Sequence, residues 1–189
     1  MIRIGIIGDI GSGKSYIANN FGYPVFNADK EVSNLYKKNR EIFRSLNKLI
    51  PKYIVSFPIN KREISNAILA NELNLKKIVK VVHKEIRKKM KLFLIKNRNR
   101  KIIILDIPLL LENKINNKKD ILVYVDSKKS KINKRLKNRL NFNNKLFAKF
   151  KKIQLPIDYK KRKAHFIIEN DFTKKSVKNG IKKILNEIK

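Results

Sequence analysis

Gly8-Asp9-Ile10-Gly11-Ser12-Gly13-Lys14-Ser15 is the stretch that decides how this chain folds. It fits G-x-x-x-x-G-K-[ST], a loop whose glycines let successive backbone N–H groups turn toward phosphate oxygens. In that pattern Lys14 reaches the β- and γ-phosphates of a nucleotide and the Ser15 hydroxyl ligates Mg2+. The main chain of Gly8, Ile10, Gly11, Ser12 and Gly13, with the helix that follows at Tyr16, completes the expected ATP-binding set. Chance produces such a run in under about one per cent of chains of this size.

The flanks supply the context that the loop needs. Met1–Ile7 (MIRIGII) reads as a short buried strand, and Tyr16–Phe21 begins a helix. Pro24, Val25 and Phe26 make a second strand that ends at Asn27-Ala28-Asp29. This β-loop-α-β opening starts a parallel sheet. Ile102–Leu105, Ile121–Val125 and Phe166–Ile168 read as further strands. Between them the pattern is helical from Lys30 to about Arg100, with a break at 50–60 around Pro51 and Pro58. Ile78, Val82, Ile86, Met90 and Leu94 form one apolar stripe on a long helix. Ile132–Phe150 reads as one basic helix, Gln154–Pro156 as a break, and Val177, Ile181, Ile184 and Ile188 as one face of a closing helix. The expected class is α/β: a P-loop NTPase of three layers, α/β/α, whose parallel sheet is covered on both faces. The helical block at 31–100 is too long for a simple crossover and reads as a substrate-binding insertion.

Composition excludes several functions. With no cysteine, disulfides, thiolate metal sites and cysteine nucleophiles are ruled out. The richest apolar run, Ile102–Leu111, is broken by Asp106 and Pro108 and falls well short of the ~20 residues of a membrane span. The N-terminus enters a strand and a phosphate loop at once, leaving no room for a targeting peptide, so the expected location is cytoplasmic. The charge is extreme, 47 Lys+Arg against 15 Asp+Glu, formally +32. It is spread from Lys37 to Lys189 beside abundant Asn and Ile, which reads as compositional drift; the functional alternative is a surface for nucleic acid or anionic membrane.

Other residues carry two readings each. Asp29 closes the second strand, where carboxyl ends face the ligand crevice of an open α/β sheet. If that strand lies beside the first, Asp29 sits near the γ-phosphate and can orient or deprotonate an acceptor hydroxyl. Equally, it caps the helix starting near Lys30. His83 and Arg87 share a helix face, and Arg87 can clamp a phosphate; spacing alone favours a packed histidine and a solvated arginine. Arg135 and Arg139, also four apart, suit a polyphosphate, yet in so basic a chain the pair can be decoration. Asp106 ends an apolar strand as a Mg2+-supporting carboxylate would, or is a turn residue before Pro108.

The loop 8–15, Asn27-Ala28-Asp29, His83-Lys84-Glu85-Ile86-Arg87, Ile107-Pro108-Leu109-Leu110-Leu111-Glu112 and Gln154 through Asn170 occur in that order over nearly the whole chain. The chain thereby resembles the dephospho-CoA kinase family, whose pattern runs P-loop, D-A-D, H-P-x-I-R, P-L-L-x-E, a lid arginine pair, then Q-x-P…K-R…A-D…I-D-N. The resemblance implies a nucleotide core of 1–30, 101–130 and 160–189, a helical CoA-binding region at 31–100, and a lid at 131–159. It implies ATP-dependent, Mg2+-assisted phosphorylation of the ribose 3′-hydroxyl of dephospho-CoA. Asp29 becomes the base, His83 and Arg87 face the acceptor, Arg135 and Arg139 are the lid pair, and Asn170 lies beside the adenine. The implied partner is a small-molecule acceptor, with no obligatory nucleic acid or membrane, on a monomer or weak oligomer. The alternatives are a nucleoside monophosphate-type kinase and, in another class, a basic P-loop nucleic-acid-binding protein. Three positions depart from the family pattern. Asp9 replaces a glycine, bringing a carboxylate near the triphosphate unless its side chain points outward; Asn27 replaces the first aspartate, and Lys84 the proline.

Overall fold

The computed structural model describes residues 1–139 and 142–188; positions 140, 141 and 189, assigned above to the lid and to the closing core segment, lie outside the described residues. In chain order the elements are β1 (Ile2–Gly8), α1 (Lys14–Asn20), β2 (Val25–Asn27), α2 (Ala28–Lys38), α3 (Arg40–Leu49), α4 (Lys61–Ala70), α5 (Glu72–Lys96), β3 (Ile102–Asp106), β4 (Ile121–Asp126), α6 (Lys129–Lys137), α7 (Asn144–Lys152), α8 (Ile157–Lys163), β5 (Phe166–Glu169) and α9 (Lys174–Glu187).

The strands form one parallel sheet in the order β2-β3-β1-β4-β5. Strands covered on both faces are apolar throughout rather than alternating, and all five residues of β3 are buried. Ile4, Ile6, Ile104, Val123, Val125 and Ile168 of the sheet pack with Ile17 of α1 and Val177, Ile181 and Ile184 of α9.

Two expectations are corrected here. β2 does not lie beside β1: it pairs with β3, which lies between them, with Asn27 opposite Asp106. Strand order is set by where the long helical crossover delivers β3, which local patterning does not record. The basic stretch 132–150 is also not one helix. α6 stops at Lys137, and α7 begins at Asn144. Asn138 and the Asn143-Asn144 pair flank the break, and asparagine side chains compete with helical backbone bonds.

The chain divides into two compact units. One comprises Met1–Asn27, Asn97–Asn143 and Lys149–Lys189, and contains the sheet. The other comprises Ala28–Lys96 and Asn144–Ala148. In the helical unit, Asn39 and Asn60 cap α3 and α4 by accepting from the N–H groups of Ile42 and Arg62. Ile78, Val82 and Ile86 are the buried face of α5, as their spacing predicts. Lys84 lets α5 run unbroken for 25 residues, because proline there would remove a backbone donor and clash with the preceding turn. No helix among the described residues is long and apolar enough to cross a membrane.

Ahead of α9, Thr173 caps the helix and Asp171 accepts from the Thr173 N–H and hydroxyl and from Ser176 Oγ. These bonds, Ser176 first, hold the Asp171 carboxyl down at about 2. A lowered folded-state pKa contributes stability that is present above the ordinary carboxylate value and is lost as pH falls through about 2. Ser176→Ala should therefore move the Asp171 titration, followed by carboxyl NMR, upward toward the ordinary aspartate range; an unchanged titration would remove Ser176 as the cause.

Candidate active site

The phosphate loop sits between β1 and α1, at the carboxyl end of the sheet's central strand. Its glycines are required by geometry. Gly8 has φ 152° and Gly13 φ 95°, values that side chains disfavour. A Cβ on Gly13 would stand 2.6 Å from Asn170 Nδ2, and one on Gly8 would stand 2.9 Å from the carbonyl oxygen of Val125.

That close approach reveals what Asn170 does. Expected beside the adenine, Asn170 is only 3% exposed and its Nδ2 donates to the Ser12 carbonyl at 2.8 Å. Ser127 Oγ donates to the same carbonyl at 3.0 Å. A trans peptide points its N–H opposite its C=O, so two donors on Ser12 O turn the Gly13 N–H to the loop's other side. The Asn170 Oδ1 accepts from the Phe172 N–H, which pins the amide in place.

Lys14 Nζ donates to the carbonyls of Asp9 at 2.7 Å and Gly8 at 3.3 Å, arching over the loop. The Asp9 side chain, which would bring a carboxylate near the triphosphate unless it pointed outward, is buried, with the residue 7% exposed. Its Oδ1 accepts from the Ile10 N–H at 2.8 Å, and its Oδ2 meets Lys151 Nζ at 2.9 Å.

Asp106 ends β3 beside β1. Its carboxylate hydrogen-bonds Ser15 and accepts from Asn27 Nδ2 at 2.5 Å. Burial pushes its carboxyl above the ordinary range, against the pull of the Ser15 bond, the Lys14 charge and the Asn27 bond. The structure thus brings together Lys14, Ser15 and Asp106, three of the residues singled out by sequence. Ser15 and Asp106 offer hard oxygens side by side, and no cluster of three or more acidic or histidine side chains occurs among the described residues. This donor set fits Mg2+, which takes one or two protein oxygens and fills its octahedron with phosphate and water.

Asp29, His83 and Arg87 belong to the helical unit. Asp29 lies in the first turn of α2 with Glu31, where negative charge suits the helix dipole. Because α2 starts at Ala28, Asp29 is inside the helix rather than its cap. On α5, burial and then the charge of Arg87 lower the His83 pKa below the ordinary imidazole value. Arg87 is exposed. Arg135, on α6, stacks 4.4 Å from the centroid of the Phe172 ring. Arg139 falls beyond the end of α6, so the two arginines are not on one helix face.

The sequence reading missed three lysines. Between residues 151 and 161, Lys151, Lys160 and Lys161 each pair with a carboxylate placed after or at the end of a strand: Asp9 at 2.9 Å, Glu112 at 2.8 Å and Asp126 at 2.6 Å. Asp9, Asp126 and Asp158 in turn help burial to raise the Tyr124 phenol to about 12. In a chain with 47 basic residues no local signal separates these three from the rest.

A glycine-rich loop behind the central strand of a parallel sheet, with a strand-end carboxylate bonded to its serine, makes this a P-loop kinase fold. Known proteins narrow the class. A family model described as dephospho-CoA kinase matches residues 2–176. The dephospho-CoA kinase of Wolbachia pipientis wMel is 32% identical, over 98% of this chain and 97% of its own. Among solved structures, TT1252 from Thermus thermophilus superposes with a TM-score of 0.77 at 25% identity, covering 100% of this chain and 98% of that one. Dephospho-CoA kinase from Campylobacter jejuni has the same fold, with a TM-score of 0.64 at 21% identity over 98% and 96% of the two chains. The chain belongs to the dephospho-CoA kinase family.

Proposed function

We propose that this chain transfers the γ-phosphate of ATP to the ribose 3′-hydroxyl of dephospho-CoA, yielding coenzyme A and ADP. The observation that carries this reading is the Lys14–Ser15–Asp106 grouping at the phosphate loop, in a chain that matches the family over nearly its whole length. Loop N–H groups and the Lys14 ammonium hold the β- and γ-phosphates and offset the charge that builds on them. Ser15 and Asp106 would hold Mg2+, which supplies charge neutralisation to the transferring group. Asp29 orients the acceptor hydroxyl and takes its proton as the new P–O bond forms. Arg87 binds an anionic group of the acceptor, and His83 offers it a hydrogen bond. Arg135 and Arg139 bind the nucleotide from the segment 131–159, in the manner of a lid. The chemistry requires no membrane or nucleic acid and is that of a cytoplasmic enzyme.

Labelled ATP offered with a panel of acceptors tests the reading. Dephospho-CoA should be phosphorylated in preference to AMP and dTMP, and preference for either monophosphate would replace this function with that of a nucleoside monophosphate-type kinase.

A further inference from the structure

An acidic side chain at the second position of a phosphate loop should weaken the binding of a tetra-anion. Here the carboxylate is present, buried and close to the phosphate-binding lysine, since Lys14 Nζ lies 2.7 Å from Asp9's own carbonyl oxygen. Two contacts account for its tolerance. One carboxylate oxygen takes up the Ile10 N–H, stiffening the loop. The other meets the ammonium of Lys151, which comes from 142 residues away in the last turn of α7. Asp9's side chain is 9% exposed and that of Lys151 48%, so the pair is only partly screened by water. The Asp9–Lys151 pair also ties the start of the 149–163 stretch to the loop, while the Lys160–Glu112 and Lys161–Asp126 pairs tie its far end to the loop after β3 and to the tip of β4.

We infer that Lys151 is a positioning residue for the nucleotide: it neutralises Asp9 and, together with the Ile10 N–H, holds its carboxylate in place, so that ATP meets a loop in which Asp9 does not offset the charge of Lys14. Lys151 acts through Asp9 and not on phosphate directly. This inference rests on the ATP-binding role proposed for the loop. It would be tested by calorimetric titration of MgADP and of a non-hydrolysable ATP analogue, without acceptor. An error about the acceptor would then appear only as absent turnover and would leave the comparison intact.

Lys151→Ala should weaken the ATP analogue by about tenfold, equivalent to roughly 1.4 kcal/mol. Asp9→Asn keeps the Ile10 bond through the amide oxygen and removes the charge, so it should bind the analogue at least as tightly as the parent chain. In the Asp9→Asn background, Lys151→Ala should cost less than about twofold, well under the tenfold loss expected where the charge remains. Lys161→Ala, which removes an equal charge from the same stretch, measures the generic effect of losing a cation and should also stay within about twofold. Three results would overturn the inference: no loss in Lys151→Ala, an equal loss in Lys161→Ala, or a tenfold loss that persists once Asp9 is uncharged. The last of these would make Lys151 a direct phosphate ligand.

Discussion

Asp29→Asn should lower turnover by about 10²- to 10⁴-fold, the range expected for loss of a positioned general base. The change is isosteric and leaves the loop, Lys14 and the Ser15–Asp106 pair untouched, so affinity for MgATP should shift by less than about twofold. The first turn of α2 still tolerates the amide, because asparagine near a helix N-terminus costs only tenths of a kcal/mol when a dipole interaction is lost. The result is thus a fall in kcat with KM for ATP preserved, measured by coupled ADP release with dephospho-CoA saturating. Turnover near that of the parent chain would remove Asp29 from the mechanism and leave positioning and charge neutralisation to carry the transfer.

The largest effect on stability should come from Lys160→Met. The Lys160 side chain is 4% exposed and the Glu112 side chain 9% exposed, with 2.8 Å between their charges. Glu112 also accepts the Leu155 N–H at 3.1 Å, so its carboxylate fastens the turn before α8 as well. Removing the lysine leaves that carboxylate buried without its counter-charge, and breaking such a pair from one side costs about 3–5 kcal/mol. Replacing both partners, Lys160→Met with Glu112→Leu, should recover most of that loss, since the penalty lies in the orphaned charge. Urea unfolding of the single and double variants reads both values. A single variant within about 1 kcal/mol of the parent would mean that water reaches Glu112 and screens it.

Local features of the fold were legible because their physics is local. Each fixed position of the 8–15 loop, Gly8, Gly13, Lys14 and Ser15, has a role that names its residue type, and the Ile-rich runs of β1 and β3 could hardly be other than buried parallel strands. The order of motifs along the chain was equally readable and leads to the family. Strand order was not, because whether β2 meets β1 or β3 depends on a crossover of about seventy residues. The Asn170 reading placed the residue near the nucleotide but missed that its amide is committed to the Ser12 carbonyl, since a hydrogen bond spanning 158 residues leaves no spacing to detect. Asp9 was recognised as a departure, yet the lysine that answers it was hidden among its many equals. The break after Lys137 was missed because an apolar period favoured continuity, while the asparagines that oppose it have only a weak helix-breaking tendency.

Helix α6 exposes Lys129, Lys131, Lys134, Arg135 and Lys137, in a molecule with a formal charge of +32. Such a shell pushes on itself, and dissolved ions relieve that push, so added electrolyte should make the native state harder to melt. The same ions weaken the pull that draws a tetra-anionic substrate toward the loop. Durability and substrate capture should therefore respond to ionic strength with opposite signs, and activity measured against salt should peak at an intermediate salinity.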